Sequence, residues 1–291
     1  MQSQRHFFII ILLAALVGLG QGFPALADPP PVPGKFFLVG LGPAGPEHTT
    51  LKALETIKKA DLILAYPELI EPFQAYLAGK KIYDPWKELW FSPDERKLQP
   101  EARRARLAEK TRQRDKFVKE MLDLLAQGKN VALLTGGDPT VYSRAFWLLE
   151  GIPEDQVEVI PGLGAVSAAM AALKRASTGA QARFVLQTSP RSFFGQPDHD
   201  DLVRELSQYS GTLVFYMGLK NFDNLVNTLK KYYPANLPIA VVYYAGHPTK
   251  EKVIQGTLTD ILPQVGSERE KWWGLVIVGH CLTGPSFTPG E

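Results

Sequence analysis

Three glycine-rich segments stand out because they could bring a small ligand against the main chain. They read GLGPAGP (residues 40–46), GGDPTVYSR (136–144) and PGLGAVSAA (161–169). Glycine has no side chain, so a ligand can approach the backbone closely at these positions. The second segment also carries Asp138, whose carboxylate could bind a ribose hydroxyl or an ammonium group of a ligand, or could cap the following helix. The segments together indicate a binding site for a small ligand.

The first segment also satisfies the letters of the dinucleotide-binding pattern G-x-G-x-x-G at residues 40–45. Two features weaken that interpretation. Pro43 removes a backbone N–H from the loop that would have to bind a pyrophosphate. An acidic residue is expected at the end of the second strand to hold a ribose, but Asp61 precedes that strand and Tyr66 stands at its end. The sequence therefore favours a different small ligand.

Each glycine-rich segment directly follows a short apolar run that is typical of a strand. Between the apolar runs at residues 36–42 and 62–66, residues 50–60 have apolar side chains at helical spacing, with Thr50 available as the N-cap. This alternation predicts βαβ units and a parallel sheet, which binds ligands at the carboxyl ends of its strands. A second series of runs predicts another such unit, so we expect an α/β fold of two α/β domains, residues 35–162 and 163–291. The predicted strands are 36–42, 62–66, 130–135 and 157–161, then 184–188, 212–217, 239–244 and 274–280.

The composition is that of a globular protein, with 291 residues of which 45% are hydrophobic and 21% charged. The formal net charge of +2 is too small to indicate nucleic-acid binding by itself, and we expect no nucleic-acid partner. Cys281 is the single cysteine, which excludes an intrachain disulfide and a cysteine-based zinc site. We expect no metal site.

The first residues are expected to lie outside the fold. Basic Arg5 precedes an apolar stretch at residues 7–20, and the A-x-A sequence ending at Ala27 offers a cleavage site. This layout is typical of a secretory signal peptide over residues 1–27, with an uncleaved membrane anchor as the alternative. Residues 28–34, DPPPVPG, are interpreted as a stiff linker. We therefore expect an exported, periplasmic protein without a membrane span after cleavage.

Five motifs, in this order along the chain, resemble those of the tetrapyrrole methylase family. They are VGLGPAGPEHTTLKALETIKKADLIL, GGDPTVYSR, EVIPGLGAVSAAMAA, GTLVFYMG and LPIAVVYYAGHPTKEKVIQGTLTDI. The family includes uroporphyrinogen-III C-methyltransferase and the precorrin methyltransferases of cobalamin synthesis. The strand VVYYAGHP is more similar to the cobalt-precorrin-4 type. The resemblance extends from about residue 36 to residue 282, and its strength lies in five motifs in register.

The resemblance implies an S-adenosylmethionine-dependent methyltransferase that acts on a tetrapyrrole, with two α/β domains in a kinked arrangement and a cleft between them, usually as a homodimer. Tetrapyrroles carry many carboxylates, so the basic segment 103–119 is either a recognition surface or a solvated helix face. Trp86, Trp90 and Phe91 could stack on a macrocycle or pack in the core. Methyl transfer needs positioning and exclusion of water, which a cleft supplies without a metal. Carried over position by position, the resemblance implies cofactor contacts at Pro43, Gly136, Gly137, Asp138, Val141, Gly164, Ala165, Met217 and Ala245.

The sequence departs from the family at the expected proton acceptor. The acid that follows the second strand in the uroporphyrinogen enzyme is replaced by Pro67, so the neighbouring Glu68 is our candidate catalytic base. This departure keeps open a non-catalytic alternative, in which an exported relative binds a tetrapyrrole or S-adenosylmethionine without methylating anything. In such a protein His247 could be an axial ligand to a chelated metal, or it could be an ordinary loop histidine.

Overall fold

The computed structural model describes residues 32–92, 94–179, 182–270 and 273–284, and within them ten strands form two five-stranded sheets. Both sheets belong to one compact unit. The predicted signal peptide and the first part of the predicted linker lie outside the described residues. Across these four ranges, no helix combines the length and the apolar character needed to span a membrane.

The first sheet is parallel throughout, as the sequence predicted. Its strands are β1 (Phe36–Gly40), β2 (Leu62–Leu64), β3 (Lys81–Tyr83), β4 (Val131–Thr135) and β5 (Val157–Ile160). They are arranged in the order β3-β2-β4-β1-β5, so the strands that precede the three glycine-rich segments are neighbours. Strand β3 was not predicted, because its three residues are all exposed at the sheet edge and show no apolar pattern.

The second sheet is mixed, so the expectation of parallel pairing does not extend to it. Its strands are β6 (Val185–Thr188), β7 (Thr212–Tyr216), β8 (Pro238–Tyr243), β9 (Lys252–Thr257) and β10 (Gly274–Val278), in the order β6-β7-β10-β8-β9. Only β6 and β7 pair in parallel. A short connection without a crossover helix joins β8 to β9, and such a connection is compatible only with antiparallel pairing.

Thr50 caps the first helix, because its side-chain oxygen accepts a hydrogen bond from the amide of Ala53 (3.2 Å), as predicted. The helix expected directly after Asp138 does not form there, since residues 139–145 are not helical and the next helix begins at Phe146. The helices of the described residues are α1 (Leu51–Lys59), α2 (Pro67–Ile70), α3 (Gln74–Leu77), α4 (Trp86–Leu89), α5 (Pro100–Ala126), α6 (Phe146–Leu149), α7 (Ala165–Leu173), α8 (Pro190–Phe194), α9 (His199–Leu206), α10 (Phe222–Lys230) and α11 (Ile261–Val265). Short 3₁₀ helices occupy Pro46–His48, Glu71–Phe73, Glu95–Lys97, Glu154–Gln156, Gly218–Asn221, Gly266–Glu270 and His280–Leu282.

The core holds the strand ends in place from both faces of each sheet. Successive side chains of a strand point to opposite faces, so in β1 Leu38 packs in the cluster with α5 and Val39 packs in the cluster with α1. Helix α7 follows β5 but packs on the second sheet, where Ala169 shares a buried cluster with Val242. The helix therefore connects the carboxyl-end edge of the first sheet to the second sheet. The predicted domain boundary between residues 162 and 163 stays a prediction.

Candidate functional site

The three glycine-rich segments meet at the carboxyl ends of β1, β4 and β5. The amide of Gly42 donates to the carbonyl of Gly137 (3.2 Å), and the amide of Gly137 donates to the carbonyl of Gly42 (2.7 Å). A β-carbon on Gly40 would collide with the amide nitrogen of Gly162, and one on Gly162 would collide with the carbonyl oxygen of Gly137. Glycine is required here because three backbones approach one another closely.

This pairing argues against the dinucleotide interpretation of the first loop. A phosphate-binding loop presents unpaired backbone N–H groups to the anion. The amides of Gly42 and Gly137 instead donate to each other's carbonyls, and Pro43 has no N–H to offer. The loop therefore fits a ligand that is not held by a ring of backbone amides.

Asp138 combines a structural role with an open acceptor. Its Oδ1 atom accepts hydrogen bonds from the amide (2.9 Å) and the hydroxyl (2.8 Å) of Thr140. These bonds stabilise a turn, and no helix begins there, so the helix-cap alternative for Asp138 is wrong. Among the described residues no protein group donates to its other oxygen, Oδ2. A β-carbon on Gly164 would lie 3.9 Å from the Asp138 Cβ, so the second and third segments meet at this carboxylate.

The glycines beside Asp138 border open space. A β-carbon built on Gly137 meets no atom within 4 Å, one on Gly136 meets the Leu69 side chain at 3.5 Å, and the position at Gly164 is similarly open. Gly137 also has a φ of +67°, in the left-handed region that favours glycine. The three glycines thus form a cradle that side chains would fill, next to an unoccupied carboxylate oxygen. This arrangement fits a cofactor with hydroxyl or ammonium groups.

The second sheet approaches the cradle at the end of β7. The rings of Tyr142 and Tyr216 lie with their centroids 5.1 Å apart. Burial, with smaller contributions from Tyr142 and the charge of Asp138, raises the pKa of Tyr216 to about 12. Met217 follows, with a φ of +57° and 47% of its surface exposed, and Tyr142 has a φ of +55°. Strained conformations of non-glycine residues cluster at functional sites.

A second contact, next to Ala245, joins the half of the chain that forms the first sheet to the half that forms the second sheet. The ring of His48, in the first segment's 3₁₀ helix, lies 3.2 Å from where a β-carbon of Gly246 would be, and Gly246 has a φ of +83°. Ala245 is buried in the same cluster as α7. The loop that follows β8 is therefore held against the loop that follows β1.

These contacts bring the predicted cofactor residues together at one edge. Pro43 follows the paired Gly42, and the amide of Val141 donates to the carbonyl of Asp138 (3.2 Å). Ala165 begins α7 directly after Gly164. The complete set on these adjoining loops is Pro43, Gly136, Gly137, Asp138, Val141, Gly164, Ala165, Met217 and Ala245. Their assignment to the cofactor stays a prediction.

Glu68, the predicted base, is exposed in the first turn of α2. It precedes Leu69, the side chain nearest to Gly136 in the cradle. Its charge also contributes, after burial, to a raised pKa of Tyr66. The structure therefore places Glu68 beside the site, at its solvent-exposed edge.

Arg144, at the end of the second segment, was not singled out from the sequence. Its guanidinium carbon lies 4.3 Å from the ring centroid of Trp86 and 5.0 Å from that of Trp90. Burial lowers the pKa of Arg144, and the described residues provide it with no carboxylate hydrogen bond or ion pair. Trp86 is only 7% exposed, so packing in the core, rather than stacking on a macrocycle, describes it. Its position at the end of the GGDPTVYSR segment was the sequence signal that could have identified Arg144 as a candidate site residue.

His247 serves its own loop. Its Nδ1 accepts from the amides of Thr249 (3.2 Å) and Lys250 (3.3 Å). A neutral imidazole that accepts at Nδ1 carries its proton on Nε2. The remaining nitrogen is then a donor, which argues against an axial metal ligand.

The basic segment 103–119 is largely a helix face. Arg106 pairs with Glu95 and Glu109, and Arg114 pairs with Asp115 and Glu150. Most of its other basic side chains are exposed to solvent. The solvated-face interpretation therefore describes most of the segment.

The fold and the candidate site define a class: a two-sheet α/β protein whose glycine-rich strand ends, next to the second sheet, form a candidate site for a small ligand. The profile of the Tetrapyrrole (Corrin/Porphyrin) Methylases matches residues 35–262. The chain belongs to this family. The family resemblance inferred from the five motifs is confirmed, and so is the predicted fold class.

Individual relatives agree with this assignment. The chain is 28% identical to cobalt-precorrin-4 C(11)-methyltransferase of Methanocaldococcus jannaschii over 253 residues, covering 85% of this chain and 88% of that one. A solved cobalt precorrin-4 methyltransferase superimposes with a TM-score of 0.66 at 21% identity, covering 86% and 96% of the two chains. Uroporphyrin-III C-methyltransferase from Thermus thermophilus, complexed with S-adenosylhomocysteine, gives 0.58 at 24% identity, covering 86% and 99%. The family uses S-adenosylmethionine, as expected from the sequence.

Proposed function

We propose that this protein is an S-adenosylmethionine-dependent C-methyltransferase that acts on a tetrapyrrole of the precorrin or uroporphyrinogen type. The observation that carries the proposal is the open cradle of Gly136, Gly137 and Gly164 beside the unpaired Oδ2 of Asp138. Its position at the meeting of both sheets supports a cofactor there, and the two kinds of relative support the substrate class.

Separate groups of residues would bind the cofactor and the substrate. The glycine cradle admits the cofactor to the backbone, and Asp138 accepts a hydrogen bond from it. Tyr142 and Met217, each about half exposed, lie where the second sheet approaches the cradle and would limit the access of water to a bound cofactor. When bound, S-adenosylmethionine supplies an electrophilic methyl group on a sulfonium. The half-buried Arg144 binds a peripheral carboxylate of the substrate, since guanidinium groups bind carboxylates through paired N–H donors.

A second candidate, a non-catalytic exported binding protein, is favoured by one observation. Pro67 stands where the uroporphyrinogen enzyme has its acid, and the nearest acid, Glu68, is exposed rather than enclosed. Such a protein would retain the cradle and Arg144 but would lack the base. The homodimer implied by the resemblance is a proposal for either function.

The decisive test of the cofactor site compares two glycines of similar geometry. Gly137 (φ +67°) and Gly79 (φ +74°) both have nothing within 4 Å of an added β-carbon, but only Gly137 lies in the cradle. Gly137→Ala and Gly79→Ala should each cost about 1–2 kcal/mol of stability through backbone strain. Calorimetry with S-adenosylhomocysteine should show binding by the wild type and by Gly79→Ala, and a loss of at least tenfold with Gly137→Ala. Absence of binding by the folded wild type would overturn the proposal.

Substrate and activity are tested with a methyl-labelled donor. Uroporphyrinogen III and cobalt-precorrin-4 are offered separately, and label transfer is measured on the isolated tetrapyrrole. Transfer to either one establishes the methyltransferase and its substrate type. Cofactor binding without transfer to a tetrapyrrole would establish the binding protein instead.

A further inference from the structure

The guanidinium of Arg144 lies against two indole rings, those of Trp86 and Trp90, which we call the aromatic clamp. The rings are 6.2 Å apart and perpendicular to each other, with an interplanar angle of 89°. The guanidinium carbon lies 4.3 Å from the Trp86 centroid and 5.0 Å from the Trp90 centroid, and because the rings are perpendicular at most one of them can stack flat on the planar guanidinium. A ring that stacks on the flat face leaves the N–H groups at the guanidinium edge free to donate.

The clamp holds a positive charge without a neutralising partner. Asp84 is close enough to favour the charged form of Arg144, but its Oδ1 accepts from the amide of Trp86 (2.9 Å), and no ion pair with Arg144 forms in the described part of the chain. Arg96 adds a second positive charge nearby. The other arginine that stacks on a tryptophan provides a contrast.

That arginine is Arg114, whose guanidinium carbon lies 5.1 Å from the ring centroid of Trp147. It is paired with Asp115 and Glu150, both at 2.7 Å. An arginine–indole contact thus occurs once with the charge already neutralised and once, at Arg144, with the charge available. The available charge stands at the end of the second segment, which supplies Gly136 and Gly137 of the cradle.

The helix that carries the aromatic clamp, α4, is joined by a hydrogen bond to the long helix α5. Helix α4 begins at Trp86, and the amide of Trp90 donates back to the carbonyl of Trp86 (3.1 Å). Lys110 of α5 is only 4% exposed and donates its ammonium to the carbonyl of Glu88. This bond ties the C-terminal end of α4 to the long helix, so the two rings are held at a fixed place.

We propose that Trp86 and Trp90 are positioning residues, which orient the guanidinium of Arg144 so that its N–H edge binds a carboxylate of the tetrapyrrole substrate. The inference rests on the proposed function, since it needs a polycarboxylate substrate. It assigns to the tryptophans a role in substrate affinity that acts only through Arg144.

The test is a double-mutant cycle on the full chain, with uroporphyrin III as a stable octacarboxylate probe followed by its Soret absorption. Arg144→Gln should weaken binding roughly ten- to a hundredfold, the usual loss for a hydrogen bond to a charged group. Trp90→Leu should weaken it roughly three- to tenfold, and Trp90→Phe should restore most of the affinity because a flat ring remains. In the Arg144→Gln background, Trp90→Leu should change the affinity less than about twofold.

The matched control is Trp147→Leu, which removes the other stacked ring and should leave uroporphyrin affinity unchanged. S-adenosylhomocysteine affinity is measured for every variant and should stay at the wild-type value. Equal losses from Trp90→Leu in both backgrounds would overturn the inference alone. No loss from Arg144→Gln would overturn the inference and the carboxylate-binding role of Arg144, and would leave the proposed methyltransferase activity and its cofactor site intact. A wild type that binds S-adenosylhomocysteine but no uroporphyrin would overturn the inference alone, and one that binds neither would overturn both.

Discussion

The ring of Tyr142 lies against the ring of Tyr216, with the centroids 5.1 Å apart and the planes inclined by 51°. Tyr142 belongs to the loop after β4 of the first sheet and Tyr216 ends β7 of the second. The hydroxyl of Tyr216 donates to Oε1 of Gln187 (3.1 Å), which fixes its ring at the strand end. Tyr142 reaches this ring from a backbone in the left-handed conformation, with a φ of +55°.

This relationship predicts an unusual order of stabilities among variants at residue 142. Tyr142→Ala should lower the free energy of unfolding by about 1 kcal/mol, because it loses the ring pair and keeps the strained φ. Tyr142→Gly should be closer to the wild type, because relief of about 1–2 kcal/mol of strain offsets the lost contact. Urea denaturation of both variants measures the difference. A glycine variant less stable than the alanine variant would show that φ is not strained in solution.

Asp138 should be separable into its two roles. Thr140→Val removes the hydroxyl that donates to Oδ1 but keeps the hydrogen bond from the backbone amide of residue 140 to the same oxygen. We therefore expect near-normal binding of S-adenosylhomocysteine. Asp138→Ala removes the free Oδ2 as well, and its affinity should fall by about ten- to a hundredfold, equivalent to roughly 1.5–3 kcal/mol. Calorimetry on both variants checks the prediction. Equal affinities for Asp138→Ala and the wild type would assign Asp138 to the loop turn alone.

The features that could be predicted are those that depend on residues close together in the sequence. The strands of the first sheet, the capped helix after Thr50 and the glycine loops all follow from apolar spacing and backbone chemistry. Strand β3 escaped because three exposed edge residues carry no such pattern. The stacking of Arg144 on Trp86 also escaped, since it joins residues far apart in sequence through side-chain geometry that periodicity does not report. The mixed pairing of the second sheet was missed for the same long-range reason.

Glu68 is expected to be the proton acceptor if methyl transfer occurs. Glu68→Gln keeps the size of the side chain and removes the base, so turnover should fall by about 10²- to 10⁴-fold. Cofactor affinity should be nearly unchanged, because Glu68 lies at the exposed edge of the site. The measurement is methyl transfer to uroporphyrinogen III and cobalt-precorrin-4, with Glu71→Gln as an exposed control nearby. Equal rates for Glu68→Gln and the wild type would remove Glu68 from the mechanism.

Asp61 should contribute to stability in a pH-dependent way. The amide of Asn130 donates to its Oδ2 (2.8 Å), and this bond, helped by Lys129, holds the pKa of Asp61 below its usual range. Because the folded pKa is depressed, the stabilisation is present above the unfolded value of about 3.9 and is lost as the pH falls through the folded pKa. The carboxylate is partly exposed, so the contribution should be no more than about 1 kcal/mol.

Asp61→Asn should therefore be less stable than the wild type at pH 6, with the difference shrinking toward pH 2. Urea denaturation across this range measures it. The matched control is Asp123→Asn, whose exposed side chain on α5 has no hydrogen bond or ion pair to another described residue. A difference between Asp61→Asn and the wild type that is constant with pH would contradict the assigned cause.

Export is a proposal that rests on the N-terminal sequence. The mature protein should begin at Asp28 and should be found outside the cytoplasm, because Ala27 ends a cleavage sequence after an apolar stretch. Mass spectrometry of the protein purified from separated cell fractions identifies its first residue. Recovery of the intact N-terminus from a soluble cytoplasmic fraction would contradict export.

The place of β10 in the second sheet sets an order on biosynthesis. Strand β10 is late in sequence yet lies between β7 and β8, whereas every strand of the first sheet precedes residue 161. A growing chain can complete the first sheet while the second still has a gap at its centre. Until residues 274–278 emerge, β7 and β8 each expose an unpaired strand edge, the kind of surface that promotes aggregation. A chaperone that shields nascent chains would therefore be needed longest by the second half of this protein.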